Sequence, residues 1–262
     1  MSNMRLTVLV DNNTYIDQYY VGEPAASYLV EADGKIILFD TGYSDCVVKN
    51  AEKMHIDLNK VDMIVCSHGH NDHSGGLEYL DIGKKSLIVH PDFFVYRFFD
   101  DLSVGITMPE EEIRKKYDVK TSKEPLWLSE NVCFLGQIPE IVDGRDSVGT
   151  LRDGHADFVR DDTAIVVRLP EGLFVISGCS HAGIHNIIEY AKRVCEDERV
   201  IGVIGGFHLF ELNERSRKVI DYLKDNVCGD VYPCHCTSLK VKAEMMKHMP
   251  VIEVGIGLVI ER

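Results

Sequence analysis

Between residues 67 and 76 the chain reads Ser67-His68-Gly69-His70-Asn71-Asp72-His73-Ser74-Gly75-Gly76. Three imidazoles and one carboxylate fall within six positions, 68 to 73. Imidazole and carboxylate are the usual protein ligands of Zn²⁺ and related divalent ions. Crowded together without a partner, these groups would repel one another when protonated and lose hydration when buried. A divalent cation removes both penalties. The glycines let the backbone turn tightly enough for side chains one and two apart to converge. The competing use of such a stretch is a solvated polar turn. Its setting argues against that use: a short apolar strand, Met63-Ile64-Val65-Cys66, runs straight into His68, and the apolar Leu77 and Leu80 follow.

The elements that must position this stretch form a weak internal repeat. Residues 27–42 read as strand, Asp33-Gly34 turn and strand, ending in Phe39-Asp40-Thr41-Gly42. A helix-like stretch follows, about Asp45 to Met54, and then the strand that runs into His68. Residues 163–179 repeat the hairpin, Ile184 to Cys195 repeats the helix, and Val200 to Ile204 is a strand that runs into His208. The repeat predicts two mixed β/α halves packed as two facing sheets with helices outside, their polar strand ends meeting along one edge. Residues 91–150 fit neither copy and are expected as a lid or insertion. Within them, helices are expected over the aromatic run 93–99 and over 110–116, with a strand at Val132 to Leu135. Residues 147–162 read as a loop, Thr237 to Met249 as a helix and Val251 to Ile260 as a closing strand. One domain over 1–262 is expected.

The pattern His-x-His-x-Asp-His after a short apolar strand resembles the metal motif of the metallo-β-lactamase superfamily, and the resemblance covers nearly the whole chain. It implies an α+β, four-layer αββα sandwich of two similar halves, with the metal ligands at one edge. His68 and His70 would bind a first ion, Asp72 and His73 a second. Phe39-Asp40-Thr41-Gly42 matches the motif whose Asp orients the metal loop; its competing role is a turn cap. Cys179, in Ser177-Gly178-Cys179, occupies the position of a bridging Asp in most relatives, and a thiolate is a good zinc ligand there. Val231-Tyr232-Pro233-Cys234-His235 resembles the last motif, whose His completes the second site.

One motif departs from the family. Relatives carry a His just before the second hairpin, where this chain has Arg160 or Asp161, with His155 out of register. His181 and His208 are the available replacements, and His208 also matches a strand position that serves as general acid in some nuclease relatives. Asp72, His208 and Asp40 are thus the expected catalytic residues. Cys179-Ser180-His181-Ala182-Gly183, Gly205-Gly206-Phe207-His208-Leu209 and Pro233-Cys234-His235-Cys236-Thr237 narrow the resemblance. They point to a subgroup related to 7,8-dihydropterin-6-ylmethyl-4-(β-D-ribofuranosyl)aminobenzene 5′-phosphate synthase, which is tied to methanopterin biosynthesis. The resemblance implies a transferase joining an activated pterin to an arylamine with release of pyrophosphate. The alternative is a metallohydrolase cleaving a phosphodiester, phosphonate or lactone with metal-activated water. A third reading is a metal-binding or redox-sensing protein that uses its thiols. The expected cofactor is zinc, as two divalent ions, with iron or manganese as substitutes.

The remaining sequence bounds the partners. Lys and Arg number 28 against 42 Asp and Glu, a net charge of −14. That balance argues against a nucleic-acid partner and leaves any anionic, phosphorylated small substrate dependent on local charge from a metal. Thr237, Ser238 and Lys240, at the start of a helix after His235, are candidates to meet a phosphate, with an ordinary capped helix as the alternative. The aromatics of 93–99 and Trp127 are candidates for a wall against a flat ring, or for core packing. No stretch has the length of a signal-peptide core or a membrane span. A cytoplasmic setting with eight reduced cysteines is therefore expected, without membrane contact and with homo-oligomerisation left open. Cys234 and Cys236, with Cys228 upstream, give a weak structural-zinc pattern.

Overall fold

The computed structural model describes residues 3–262. Two large sheets carry most of its strands. The first runs Val259–Glu261, Met4–Val10, Ser27–Ala32, Lys35–Phe39, Met63–Val65, Ser86–Val89 and Asp118–Thr121 from edge to edge. The second runs Asp230–Pro233, Val200–Gly205, Gly172–Ser177, Ala164–Leu169, Val132–Phe134 and Leu126–Trp127. Each contains the repeated unit. A hairpin is followed by a helix, Cys46–Lys53 or Ile184–Cys195, and then by a strand parallel to the hairpin's second arm. Asp33 and Gly34 both take positive φ, 55° and 71°, the left-handed pair that lets a two-residue turn match the right-handed twist of its strands.

Side-chain alternation along the strands sorts the core into three layers. Ile165, Val167, Phe174 and Ile176 face Tyr28, Val30, Ile37 and Phe39 of the other sheet. Tyr28 and Phe39 lie opposite in register and stack with ring centroids 6.3 Å apart. The alternate residues Val166 and Val175 pack under Ile187 and Val219 of helices Ile184–Cys195 and Glu214–Asn226. Leu29, Leu38 and Ile64 pack under Val47 of helix Cys46–Lys53. The order is helix, sheet, sheet, helix, the four-layer arrangement expected from the repeat. No helix among the described residues is long and apolar enough to cross a membrane.

Residues 91–150 divide their work. Asp118–Thr121 extends the first sheet, Val132–Phe134 and Leu126–Trp127 extend the second, and Glu110–Lys116 forms the expected helix. The aromatic run is not helical. Pro91–Phe94 is a short 3₁₀ turn, and Arg97–Phe99 is a strand of a small sheet with Leu102–Ser103 and Thr150–Leu151. Bulky aromatics favour extended backbone when a partner strand is present, and here one partner is the adjacent Leu102–Ser103 and the other comes from a loop about fifty residues later in sequence. Helix Glu214–Asn226, opened by a reciprocal Asn213–Ser216 capping box, was not singled out in the sequence because its buried stripe is narrow.

Phe174 lies fully buried between the sheets. Phe174→Ala is expected to cost about 3–5 kcal/mol of stability, measured by urea unfolding. A loss below about 1 kcal/mol would contradict a close-packed layer at that position.

Candidate metal centre

Strand ends from both sheets meet at one edge. Asp40, His208 and His235 adopt left-handed backbone there, with φ of 57°, 50° and 47°. That region costs a residue bearing Cβ roughly 1–2 kcal/mol, so surrounding contacts must hold the turns. The loop after Met63–Val65 is pressed against neighbouring backbone: a Cβ at Gly69 would stand 2.0 Å from the carbonyl oxygen of Phe93. Only glycine fits between His68 and His70.

Asp40 organises the loop. Its carboxylate accepts from the Ser67 N–H at 2.6 Å and from the Ser67 hydroxyl at 2.8 Å. It also accepts from His73 Nδ1 at 2.6 Å. Ser67 Oγ, its proton directed to Asp40, accepts in turn from His68 Nδ1 at 2.9 Å. These partners place a proton on Nδ1 of both rings, an assignment inferred from the hydrogen bonds, and turn both Nε2 atoms inward. Asp40, expected to orient the metal loop, contacts that loop through Ser67 and His73.

The inward atoms fall into two groups. In each, the candidate donor atoms lie within 4.8 Å of one another: His68, His70 and His181 in the first, Asp72, His73, Cys179 and His235 in the second. His68 Nε2 faces His70 Nδ1 at 2.9 Å, and His73 Nε2 lies 3.0 Å from Cys179 Sγ. His235 Nε2 stands 3.2 Å from Asp72 Oδ2 without hydrogen-bond alignment. His70 Nε2, His235 Nε2 and both ring nitrogens of His181 are buried without a hydrogen-bond partner. Each such orphan costs about 1–3 kcal/mol, and a divalent ion among them would satisfy them together.

The electrostatics agree with that use. Burial, reinforced by the neighbouring rings, holds His68 and His181 well below the usual imidazole range, and burial takes His70 down to about 3. These rings are neutral at pH 7, the protonation state a metal ligand needs. Burial would also lower His73, but the Asp72 and Asp40 carboxylates outweigh it and lift His73 to about 9. Burial pushes Asp72 upward, and His73 and His235 more than cancel it, leaving Asp72 below the usual carboxylate range. The second group thus carries a proton where an ion would supply the positive charge.

The departure before the second hairpin has a structural answer. His181, not His208, joins His68 and His70. The His208 ring instead lies against His181, centroids 4.4 Å apart, on the wall of the cleft. His155 is exposed and paired with Asp153. Asp161 accepts from the Gly69 N–H at 2.8 Å and pairs with the buried Arg97. Asp162, pushed up to about 7 by burial, accepts from the Ala182 N–H at 2.8 Å. The two carboxylates therefore brace the loops bearing His70 and His181 from behind.

A cleft of about 590 Å³ opens over both groups, walled by Tyr43, Phe99, Val104, Val148, His208 and Phe210. Several sequence expectations do not reach it. Trp127 lies at the edge of the second sheet with Arg168 over its ring, and Phe93 is core. Lys240 is bound to Glu211 at 3.0 Å. Thr237 and Ser238 do border the cleft, but Thr237 accepts from the Phe207 N–H and Ser238 caps the short helix Leu239–Met245. Cys234 bonds to Tyr28, which leaves no clustered Cys234–Cys236 site. Residues the sequence reading missed are Asp11 and Asn12, which hold the His235 backbone and Nδ1, each at 2.9 Å. Phe210 and Arg97 were also missed. Only the polar break Asp11-Asn12-Asn13 after an apolar strand hinted at any of them.

Asp40→Ala is expected to weaken metal binding by about 10–100-fold, measured by chelator competition with circular dichroism checking the fold; unchanged affinity would remove Asp40 from the orienting role. Because His73 holds its proton up to about pH 9 and burial keeps the Cys179 thiol protonated, loading the second group at pH 7 is expected to release about two protons. Calorimetry in buffers of different ionisation enthalpy reads that number.

Comparison with known proteins agrees with this geometry. The sequence profile described as the metallo-beta-lactamase superfamily matches residues 20–194. An uncharacterized protein of Methanocaldococcus jannaschii is 31% identical over 251 residues, covering 92% of this chain and 93% of its own length. The 7,8-dihydropterin-6-methyl-4-(beta-D-ribofuranosyl)-aminobenzene-5'-phosphate synthase of the same organism is 27% identical over 270 residues, covering 94% and 92%. A crystal structure described as a metal-dependent hydrolase of the beta-lactamase superfamily superposes with a TM-score of 0.87 at 30% identity, over 99% of each chain. The chain belongs to the metallo-beta-lactamase superfamily.

Proposed function

We propose that this protein is a metal-dependent hydrolase of a small phosphorylated substrate, cleaving at a phosphoester or diphosphate linkage held over two divalent ions. The observation that carries the reading is the pair of donor groups at the floor of an open cleft, their buried nitrogens lacking protein partners. His68, His70 and His181 would hold one ion; Asp72, His73, Cys179 and His235 the other. Imidazole, carboxylate and thiolate together fit zinc best, with iron or manganese as substitutes. When bound, such ions supply Lewis acidity toward phosphoryl oxygens and the activation of a nucleophile.

The chain's own residues supply the rest. Asp40 fixes the ring of His73, and Asp161 and Asp162 fix the loops on either side of the first group. His208, on the cleft wall beside His181, is placed to hand a proton to the departing oxygen. Phe99, Val104 and Val148 narrow the cleft and limit water. A second reading, transfer of an activated pterin to an arylamine, is favoured by the likeness to the pterin synthase over nearly the whole chain.

The test is incubation of metal-replete protein with bis(4-nitrophenyl) phosphate, and separately with a pterin diphosphate with and without an aminobenzene ribose phosphate. Amine-independent hydrolysis supports the proposal; pyrophosphate release that requires the amine replaces it with the transferase. His208→Gln is expected to lower kcat by about 10²–10⁴-fold at unchanged metal content. Full activity in that variant would remove His208 from proton transfer.

A further inference from the structure

The cleft above the donor groups is charged only at its floor. No Lys or Arg side chain lines it among the described residues; its only acid is Asp72, and its only basic side chains are His70, His181, His208 and His235. The nearby cations are committed elsewhere. Lys240 is held by Glu211, Arg97 is buried against Asp161 and Asp157, and Arg145 donates to the backbone carbonyls of Val159 and Ile138. Arg152 lies over the ring of Tyr96. The helix that begins beside the cleft is short, and Ser238 already caps it. Away from the floor an anionic group would meet neutral polar side chains, Asn12, Asn71, Thr237 and Ser238, but no cation to offset its lost hydration.

The upper wall has the opposite character. Phe99 and Phe210 are 52% and 54% exposed although both border the cleft. Half-exposed aromatics beside a polar site are a common place for a ligand to bury its own ring. Both are held in place. Phe210 packs edge-on against His208, centroids 4.7 Å apart, and His208 packs against His181. Phe99 ends the strand Arg97–Phe99, anchored through Arg97 to Asp161, which also holds the Gly69 N–H of the metal loop. The aromatic wall and the floor are thereby fixed relative to one another.

We infer that Phe99 and Phe210, with Val104 and Val148, form a subsite for an uncharged aromatic ring, and that the substrate carries its negative charge at one end only, the end over the donor groups. The ligand class is an aryl phosphate or phosphonate with a neutral aromatic body. This inference rests on the reading that the floor takes a phosphoryl group. It also bears on the transferase alternative, because an arylamine carrying its own phosphate finds no second cationic subsite.

The test measures binding to metal-replete protein at fixed ionic strength, with methylphosphonate, phenylphosphonate and 1,4-phenylenediphosphonate as probes. Phenylphosphonate is expected to bind at least about tenfold tighter than methylphosphonate, through ring burial against the aromatic wall. That ratio is expected to fall below about threefold in the Phe99→Ala/Phe210→Ala variant and to survive in Phe210→Trp. The second phosphonate is expected to bring no gain. Equal binding of the methyl and phenyl probes, or tighter binding of the diphosphonate, overturns the subsite. Absence of metal-dependent binding of methylphosphonate overturns the phosphoryl floor itself, and the subsite falls with it. Metal stoichiometry of each variant separates loss of the ring contact from loss of the fold.

Discussion

The structure turns on a cost that a divalent cation would relieve. Imidazole nitrogens of His70, His181 and His235 are buried without hydrogen-bond partners, while burial keeps the rings of His68, His70 and His181 neutral and Asp72 and Asp40 hold a proton on His73. No described residue offers those orphaned nitrogens a hydrogen bond. A fold that accepts such a cost at one sheet edge must hold the loops there by other means, and Asp40 is the main one. Its carboxylate is shared by Ser67 and His73, so the orientation of the whole metal loop depends on one buried side chain.

The internal repeat shows how two similar halves came to different uses. The first half ends its parallel strand in the loop that bears His68, the second in the loop that bears His208; one ring enters a donor group and the other stays on the cleft wall. His90 and His235 follow the next parallel strand of each half. His90 accepts from the Asp92 N–H and caps the turn Pro91–Phe94, while His235 faces Asp72. A histidine at a strand end is therefore not a ligand by position. What neighbours leave unsatisfied decides its role.

Behind the site runs a buried charge network. Arg97 is almost fully inside, with Asp161 and Asp157 beside it. Truncating one member of such a network strands the other, which is why buried pairs resist single substitutions more than exposed ones. Here the network ties the small sheet carrying Phe99 to the backbone of the metal loop. It couples the shape of the cleft wall to the position of the ligands.

The sequence by itself determined the chemistry and the plan. The His68–His73 cluster, the repeated hairpin–helix–strand units and the Asp33-Gly34 turn are local patterns, set by side-chain type, period and backbone preference, and each appears where it was read. The membership of His181 rather than His208 in the first group was not legible, because it depends on how two loops about a hundred residues apart approach each other. Asp161 is one of the two positions where a ligand was sought, and only packing turned it and the adjacent Asp162 into braces for the Gly69 and Ala182 amides. The aromatic run 93–99 reads as helical because one of its two partner strands, Thr150–Leu151, lies far away in sequence and the other, Leu102–Ser103, is only two residues long. Trp127 was expected at the cleft and Phe210 was not read at all, for the same reason: which face of an edge strand or loop meets the cleft is a property of the assembled sheets, not of the residues.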